Sequence, residues 1–156
     1  LALRQTKNHY LHELEVLKPL FDKIQECLDD YKDKYEYDCD RIKPVLSWAN
    51  ISSDREFHPE HTHPNSLVSG ILYLNNASPT TFVSHNLKNM GSSVYVKSYH
   101  MKHYDSEAIE GHLVLFPSDL GHFTSAGVHR ATLSFNTMPV GIVNKGTLME
   151  YNYKDS

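Results

Sequence analysis

The chain has 156 residues, with 15 lysines and arginines against 19 aspartates and glutamates, and its formal net charge is −4. Without a basic excess, neither a nucleic acid nor an anionic membrane surface is indicated as a partner. The hydrophobic content of 40% is typical of a globular protein, and no apolar run approaches the roughly 20 residues that span a bilayer. The N-terminus becomes polar within its first ten residues and does not resemble a signal peptide, and we expect a cytoplasmic protein.

The N-terminal part, residues 1–42, is predicted to be a helical support. Between residues 9 and 33, apolar side chains recur at spacings of four and three, which is typical of a helix with one apolar stripe. The stripe consists of Tyr10, Leu14, Leu17, Phe21, Ile24 and Leu28. Pro19 interrupts it and either kinks the helix or begins a second helix in its first turn. We expect the stripe to pack on one face of a sheet.

Two cysteines, Cys27 and Cys39, lie in or just after this segment, and neither belongs to a CxxC pair. We interpret them as reduced thiols that do not bind a metal.

From residue 43 onward the pattern changes to short apolar runs separated by turn residues. Strands are predicted over residues 45–51, 67–74, 80–83, 94–99, 112–116, 131–136 and 139–143. Residues 84–93 and 102–111 are predicted to be irregular loops at the mouth of a site. Many short strands of this kind favour a sandwich or barrel. We therefore predict a single domain over residues 1–156, with a β core at 43–145 and a C-terminal tail at 146–156.

The histidines are the most informative feature. His61 and His63 are one residue apart, and on an extended strand both would point to the same side as a pair of metal ligands. His58 is three residues from His61, so on a regular strand its side chain would point to the opposite side, and Pro59 interrupts the strand between them. We therefore expect His58 near the ligands or at the surface. His122 follows a β run, a proline turn and Gly121, which would return the chain to the same mouth.

Arg130 follows His122 by eight residues. If residues 122–136 form a hairpin or a bent strand, Arg130 lies deeper in the barrel than the metal. A buried guanidinium there would need an anionic partner, and a dicarboxylate offers one. The alternative interpretation is an ordinary surface arginine in a strand.

Three groups of residues together resemble a known family. They are His61-x-His63-Pro64 with Ser69-Gly70-x2-Tyr73-Leu74, Gly111 to Ser118 with His122, and Arg130-x-Thr132-x-Ser134-Phe135-Asn136. This combination, over residues 45–140, resembles the small 2-oxoglutarate/Fe(II)-dependent oxygenases of bacteria and phages. It is more distantly similar to prolyl 4-hydroxylases.

The resemblance implies a mainly β protein with a double-stranded β-helix, the jelly-roll or cupin-like barrel, and N-terminal helices on one sheet. It implies Fe(II) held by His61, His63 and His122. By similarity, Arg130 would bind the distal carboxylate of the co-substrate 2-oxoglutarate, with hydrogen bonds from Tyr73 and Thr132. The implied reaction is oxidative decarboxylation of 2-oxoglutarate to succinate and CO2 with hydroxylation of a substrate, in the cytosol of a bacterium or of a phage-infected host. The primary substrate and the oligomeric state remain open.

One residue departs from the pattern of the well-studied oxygenases, which have a carboxylate where this chain has His63. Three neutral imidazoles leave the ion's charge of +2 unreduced, which could weaken metal binding or favour Zn or Ni. Two alternatives therefore stay open. One is a three-histidine cupin-type metal enzyme without 2-oxoglutarate, although the chain lacks the Glu that cupins usually place soon after His-x-His. The other is a barrel that binds a metal without catalysis.

Overall fold

The computed structural model describes residues 4–85 and 101–154. Two 3-10 turns, Leu11–Glu13 and Glu15–Leu17, precede an α-helix, and most other elements are strands. In chain order they are β1 (Arg4–Gln5), α1 (Lys18–Lys34), β2 (Cys39–Ser52), β3 (His58–His61), β4 (Val68–Tyr73), β5 (Thr80–His85), β6 (Met101–Asp105), β7 (Leu113–Pro117), β8 (Gly121–Thr124), β9 (Arg130–Val143) and β10 (Tyr151–Tyr153). Within the described ranges, no helix is long and apolar enough to cross a membrane.

The strands form two antiparallel sheets. The larger sheet has the order β1-β2-β9-β4-β7, with β10 beside β9, and the smaller sheet has the order β3-β8-β5-β6. Strands that are distant in sequence are neighbours in both sheets, and the chain alternates between the sheets as it proceeds. This arrangement agrees with the predicted jelly roll.

The strand β4 lies at the centre of the packing because both of its faces are buried. Side chains alternate between the two faces of a strand, so its residues divide into two sets. Val68 and Leu72 contact the cluster that includes the apolar face of α1. Ile71 and Tyr73 point the other way and pack with Phe82 of the smaller sheet. The larger sheet is therefore covered by the helix on one face and by the smaller sheet on the other.

Gly70 is required at its position in β4 by the ring of Phe135. A Cβ atom at residue 70 would overlap that ring. Phe135 is fully buried, and its ring centroid lies 6.5 Å from that of Phe21 on α1. Because Gly70 has no side chain, the ring of Phe135 fits against β4 and contacts Phe21 of the helix.

The helix prediction is correct in its second half and wrong in its first. The α-helix begins at Lys18 with Pro19 in its first turn, so Pro19 begins the helix and does not kink a longer one. Leu14 is extended, with φ −76° and ψ 122°, between the two 3-10 turns. The preceding chain is held by β2, because the amide of Ser47 donates to the carbonyl of His9 at 2.8 Å. Those tertiary hydrogen bonds replace the continuous helix that the stripe indicated.

Two stretches of strand lie within residues 1–42, namely β1 and the first residues of β2. The predicted strands 131–136 and 139–143 are one strand, β9. Pro139 lies inside β9, where a proline cannot donate a hydrogen bond to a neighbouring strand. The pairing of β9 with β4 ends at Asn136, and its pairing with β10 starts at Gly141. Within the described chain, β9 therefore has only β2 as a strand partner at Pro139, and the proline is tolerated on the other edge.

Three short strands of the smaller sheet were not predicted, and neither were the two-residue β1 and the three-residue β10 of the larger sheet. The three in the smaller sheet are β3, β6 and β8, and β6 occupies the start of the predicted loop 102–111. Their sequences are polar, and the described side chains of β6 are exposed, so no apolar alternation marks them. Residues 84 and 85 belong to β5, whereas the rest of the predicted loop 84–93 and the predicted strand 94–99 lie outside the described residues.

Candidate metal centre

Three histidines converge between the two sheets. His61 is the last residue of β3 and pairs across the sheet with His122 of β8. His63 lies two residues beyond the end of β3, where its main-chain N–H donates to the carbonyl of Ser118 at 2.8 Å. One ring nitrogen of each histidine lies within 4.8 Å of the others. The spacing in sequence therefore identified a real cluster, although His63 lies in a loop and not on the strand.

The nitrogen spacing fits a common metal ion. The Nε2 atoms of His63 and His122 are 3.2 Å apart. Imidazole nitrogens bind Zn²⁺ at about 2.0–2.1 Å, so two ligands separated by an octahedral or tetrahedral angle lie about 2.8–3.4 Å apart. The observed separation falls in this range, and similar distances are expected for other first-row ions.

Two hydrogen bonds orient the rings for metal binding. The Nδ1 of His122 lies 3.0 Å from the carbonyl oxygen of Leu120, and the Nδ1 of His61 lies 2.9 Å from that of Pro59. A carbonyl can only accept, so each Nδ1 carries the proton and each Nε2 keeps its lone pair. This is the usual way in which a protein fixes the tautomer of a histidine ligand.

Burial keeps two of these rings neutral. Desolvation, with a smaller effect in the same direction from the neighbouring histidines, lowers the pKa of His63 to about 4. Desolvation likewise lowers the pKa of His122 to about 4, against the opposing effect of its bond to Leu120. Both imidazoles are therefore unprotonated at neutral pH, which is the form that binds a metal.

The cluster contains no carboxylate. Among the residues that the structure describes, only the three histidines form a group with metal-ligand spacing. Glu60, which directly precedes His61, and Asp54 are both exposed. The substitution at position 63 is therefore not compensated by a described acidic neighbour.

Arg130 is buried, with 7% of its surface exposed, and begins β9. Its guanidinium donates to the carbonyl of Ser78 at 2.9 Å and to Oγ1 of Thr80 at 2.8 Å. It also lies 4.9 Å from the centroid of the Tyr73 ring. All these partners are neutral, and burial lowers the pKa of Arg130. In the described part of the chain, no carboxylate forms an ion pair with it.

The geometry corrects how Arg130 reaches this position. The strands β8 and β9 belong to different sheets, so residues 122–136 do not form the hairpin or bent strand that was expected. The segment after Thr124 instead crosses from the smaller sheet to the larger one. Arg130 and His122 consequently face each other across the space between the sheets.

A cavity of about 200 Å³ connects the histidines with Arg130. Given about 30 Å³ per water molecule, it has room for about seven waters or one small organic molecule. Its walls include the three clustered histidines, Arg130 and Thr132. Thr132 is 1% exposed and lies opposite Tyr73 in the sheet register. The histidine cluster and a guanidinium thus lie in one small cavity.

Comparison with known proteins identifies the family. Residues 46–136, more than half of the chain, match the family model described as "Putative 2OG-Fe(II) oxygenase". The chain belongs to this oxygenase family. A search of curated protein sequences found no match to the chain.

Solved structures similar to the oxygenase share its fold. A prolyl-4-hydroxylase from Pseudomonas putida has a TM-score of 0.57 at 15% identity, over 89% of this chain and 72% of that one. A 2OG-Fe(II) oxygenase family oxidoreductase from Burkholderia pseudomallei has a TM-score of 0.58 at 11% identity, over 86% and 66%. HygX from Streptomyces hygroscopicus, solved with nickel and 2-oxoglutarate bound, has a TM-score of 0.56 at 12% identity, over 99% and 79%.

These findings confirm several predictions. The resemblance to the oxygenases and the mainly β jelly-roll fold are confirmed. The protein is an oxidoreductase of this class, with Fe(II) and 2-oxoglutarate as the cofactor and co-substrate of its family. The three imidazoles fit such an ion, because imidazole is a suitable ligand for iron as well as for zinc and nickel.

Tyr73 takes a different place in the oxygenase from the one that the resemblance implied. It is fully buried and does not line the cavity. Its hydroxyl lies 2.9 Å from Oγ1 of Thr80 and 2.6 Å from Oγ of Ser106, and it accepts the amide of Thr80 at 3.0 Å. Since Thr80 binds Arg130, the geometry favours Tyr73 as a support for the guanidinium.

A buried network of hydroxyls supports the loop that carries His63 in the oxygenase. Oγ of Ser69 lies 2.8 Å from that of Ser118 and donates to Oδ1 of Asn136 at 2.9 Å. Ser118 also donates to Ser66 at 2.7 Å, and its carbonyl binds the amide of His63. The Ser69, Ser118 and Asn136 positions of the family motifs therefore meet behind His63.

Several cavity residues were missed by sequence reasoning: Gln5, Trp48, Asn50, Thr80, Thr124 and Ser134. His58 also lines the cavity, and its Nδ1 lies 2.9 Å from that of His61. The sequence signal that could have identified these residues is the alternation of side chains along β2 and β9. The inward positions of the two strands are occupied by Trp48, Asn50, Thr132 and Ser134. Polar residues at inward positions of a strand indicate a lined cavity and not a packed core.

Proposed function

We propose that this protein is a 2-oxoglutarate- and Fe(II)-dependent dioxygenase that hydroxylates a substrate and releases succinate and CO2. One observation carries this proposal. A single cavity has a cluster of three imidazole nitrogens on one side and the buried Arg130 on the other. Arg130 has no acidic partner among the described residues. Family membership supplies the reaction class.

His61, His63 and His122 would hold Fe(II). Their rings are oriented by backbone carbonyls or by burial, so little reorganisation is needed when the ion binds. Three protein ligands would leave other positions on the ion open for the co-substrate.

Arg130 and Thr132 would hold the distal carboxylate of 2-oxoglutarate. A buried guanidinium with neutral partners is costly, and a carboxylate within bidentate reach offsets that cost. The charges lead to the same conclusion. A divalent ion on three neutral imidazoles and the guanidinium sum to +3, which a dianion reduces to +1. The co-substrate therefore completes this cavity electrostatically.

Bound Fe(II), together with 2-oxoglutarate and dioxygen, supplies the oxidising chemistry of the reaction. The protein's own residues bind, orient and enclose. Thr80 and Tyr73 fix the guanidinium, and Phe116 packs with Ile71 beside the ring of His122. The primary substrate enters beside the histidines and is defined by the remaining walls of the cavity.

Anaerobic spectroscopy tests this function. Protein with Fe(II) and 2-oxoglutarate should show a weak metal-to-ligand charge-transfer band in the visible. Arg130→Ala should abolish this band at moderate 2-oxoglutarate concentration while metal binding stays intact. Arg55→Ala, at an exposed arginine, is the matched control and should keep the band. If the metal binds but 2-oxoglutarate does not perturb the spectrum of the native protein, the proposal is wrong and a three-histidine metal enzyme of cupin type is favoured.

A further inference from the structure

Asn50 contains an unusual buried atom. Its side-chain amide donates to Oγ of Ser134 at 3.0 Å, whereas its Oδ1 is buried without any hydrogen-bond partner. Oδ1 is the one side-chain atom of this kind in the described ranges. Asn50 is 8% exposed and lines the cavity. Buried polar atoms are nearly always paired, so an unpaired one on a cavity wall indicates a partner that arrives with a ligand.

The position of Asn50 indicates which ligand this is. Asn50 lies opposite Thr132 in the register of β2 and β9, between the Ser52 and Arg130 pair and the Trp48 and Ser134 pair. The Trp48 ring lies 6.1 Å from that of His63. Asn50 is therefore placed between the level of the guanidinium and the level of the histidines, and its side chain leans toward Ser134, away from Arg130.

The amide can serve an anion if it rotates. A serine hydroxyl both donates and accepts, so Ser134 can bind either end of the Asn50 amide. After a half-turn, Ser134 would donate to Oδ1, and the NH2 group would face the cavity. The orphaned acceptor would then be satisfied, and the NH2 group would offer a donor to the ligand. A cavity with a metal centre and a guanidinium attracts an anion, so the rotated amide is the form that suits it.

We propose that Asn50 is a further co-substrate-binding residue, whose rotated amide donates to the carboxylate of 2-oxoglutarate at the keto-acid end, next to the metal. This inference rests on the proposed function. It assigns the two ends of the co-substrate to different residues, with Arg130 at the distal carboxylate and Asn50 at the proximal one, and Ser134 acts as the positioning residue for the amide.

Calorimetry with two ligands on Zn(II)-loaded protein separates the two ends. The ligands are 2-oxoglutarate and 2-oxopentanoate, which has the keto-acid end but no distal carboxylate. Asn50→Ala should weaken both by the same factor, about ten- to a hundredfold, as expected for a lost hydrogen bond to a charged group. Arg130→Ala should weaken 2-oxoglutarate alone, to about the affinity of 2-oxopentanoate.

Two further variants guard against a folding defect. Asn50→Asp keeps the shape but presents a negative charge to the carboxylate, so it should weaken both ligands at least as much as Asn50→Ala. Ser134→Ala should weaken both ligands to a smaller extent, because the amide loses the group that holds it. Zn(II) affinity should be close to that of the native protein in Asn50→Ala and Ser134→Ala, and the side-chain amide signals of Asn50 in the native protein should shift when 2-oxoglutarate is added.

The outcomes are distinct. If native protein binds no 2-oxoglutarate, the proposed function and this inference are both wrong. If native protein binds it and Asn50→Ala does so equally well, only the inference is overturned, and Asn50 faces the primary substrate or serves the fold. If Asn50→Ala weakens 2-oxoglutarate but not 2-oxopentanoate, Asn50 contacts the distal end, and the assignment of ends is wrong.

Discussion

Replacing Arg130 by methionine should stabilise the metal-loaded protein while removing its response to 2-oxoglutarate. The side chain is 7% exposed and has only neutral partners in the described structure. The variant loses two hydrogen bonds, worth about 1–3 kcal/mol together. It also removes the cost of burying a guanidinium without a counter-ion, which is several kcal/mol. We expect a net gain of about 1–2 kcal/mol in the free energy of unfolding when no co-substrate is present.

For a domain of this size, that gain corresponds to a rise in Tm of about 2–8 °C. Once the co-substrate is added, the native protein should become more stable than the methionine variant. At a concentration of about 100 Kd, 2-oxoglutarate should stabilise the native protein by about 2.7 kcal/mol. Loss of one partner from a buried ion pair costs about 3–5 kcal/mol, so at the same concentration the methionine variant should gain less than about 0.3 kcal/mol.

Calorimetric unfolding of the Zn(II)-loaded proteins, with and without 2-oxoglutarate, measures both effects. Arg55→Met, at an exposed arginine, should leave both values close to those of the native protein. The reasoning is refuted if Arg130→Met without co-substrate melts more than about 4 °C below the native protein, because Arg130 would then be a structural residue. A full 2-oxoglutarate shift in this variant would equally refute it.

Three other substitutions test separate parts of the structure. His63→Asp should tighten Fe(II) binding about tenfold or more, measured by competition with a chelator, because a carboxylate reduces the charge of the ion; unchanged affinity would contradict this electrostatic argument. Tyr73→Phe should raise the Kd of 2-oxoglutarate about tenfold in calorimetry without changing metal affinity, since Thr80 and Arg130 lose their support. Gly70→Ala should cost about 1–3 kcal/mol in urea unfolding through overlap with Phe135, and a neutral effect would show that the ring can move.

The three clustered histidines could be found from sequence because two of them form a local pattern and the third follows recognisable turn residues. His61 and His63 are one residue apart, and His122 follows a strand, a proline and a glycine. The same markers identified β4, β5 and β7 to within a residue or two at most ends. Apolar runs that are buried on one or both faces leave a strong imprint on a sequence.

The polar strands could not be found in this way. The strands β3, β6 and β8 are held by hydrogen bonds to their neighbours in the smaller sheet, and those bonds leave no trace in residue type. The first half of the predicted helix failed for a related reason. Its periodic stripe was real, but Tyr10 and Leu14 are 50% and 39% exposed, and the backbone there pairs with β2.

The roles of Tyr73 and Asn50 illustrate the same limit within the site. The resemblance placed Tyr73 against the co-substrate, but its hydroxyl is engaged by Thr80 and Ser106 from two other parts of the chain. Asn50 carried no motif, and only the absence of a partner for its Oδ1 distinguishes it. Hydrogen-bond satisfaction depends on which groups meet in space.

The amino-acid sequence by itself determined the chemical inventory of this protein: the imidazoles, the guanidinium, the apolar strands and the helix that covers the larger sheet. These follow from residue type and periodicity, which act over a few neighbouring residues. Only the tertiary structure decided that Arg130 faces the histidines from the opposite sheet, that Tyr73 supports it and that Asn50 lines the space between them. Those relations join residues dozens of positions apart, and they are set by sheet register and burial, which belong to the fold as a whole.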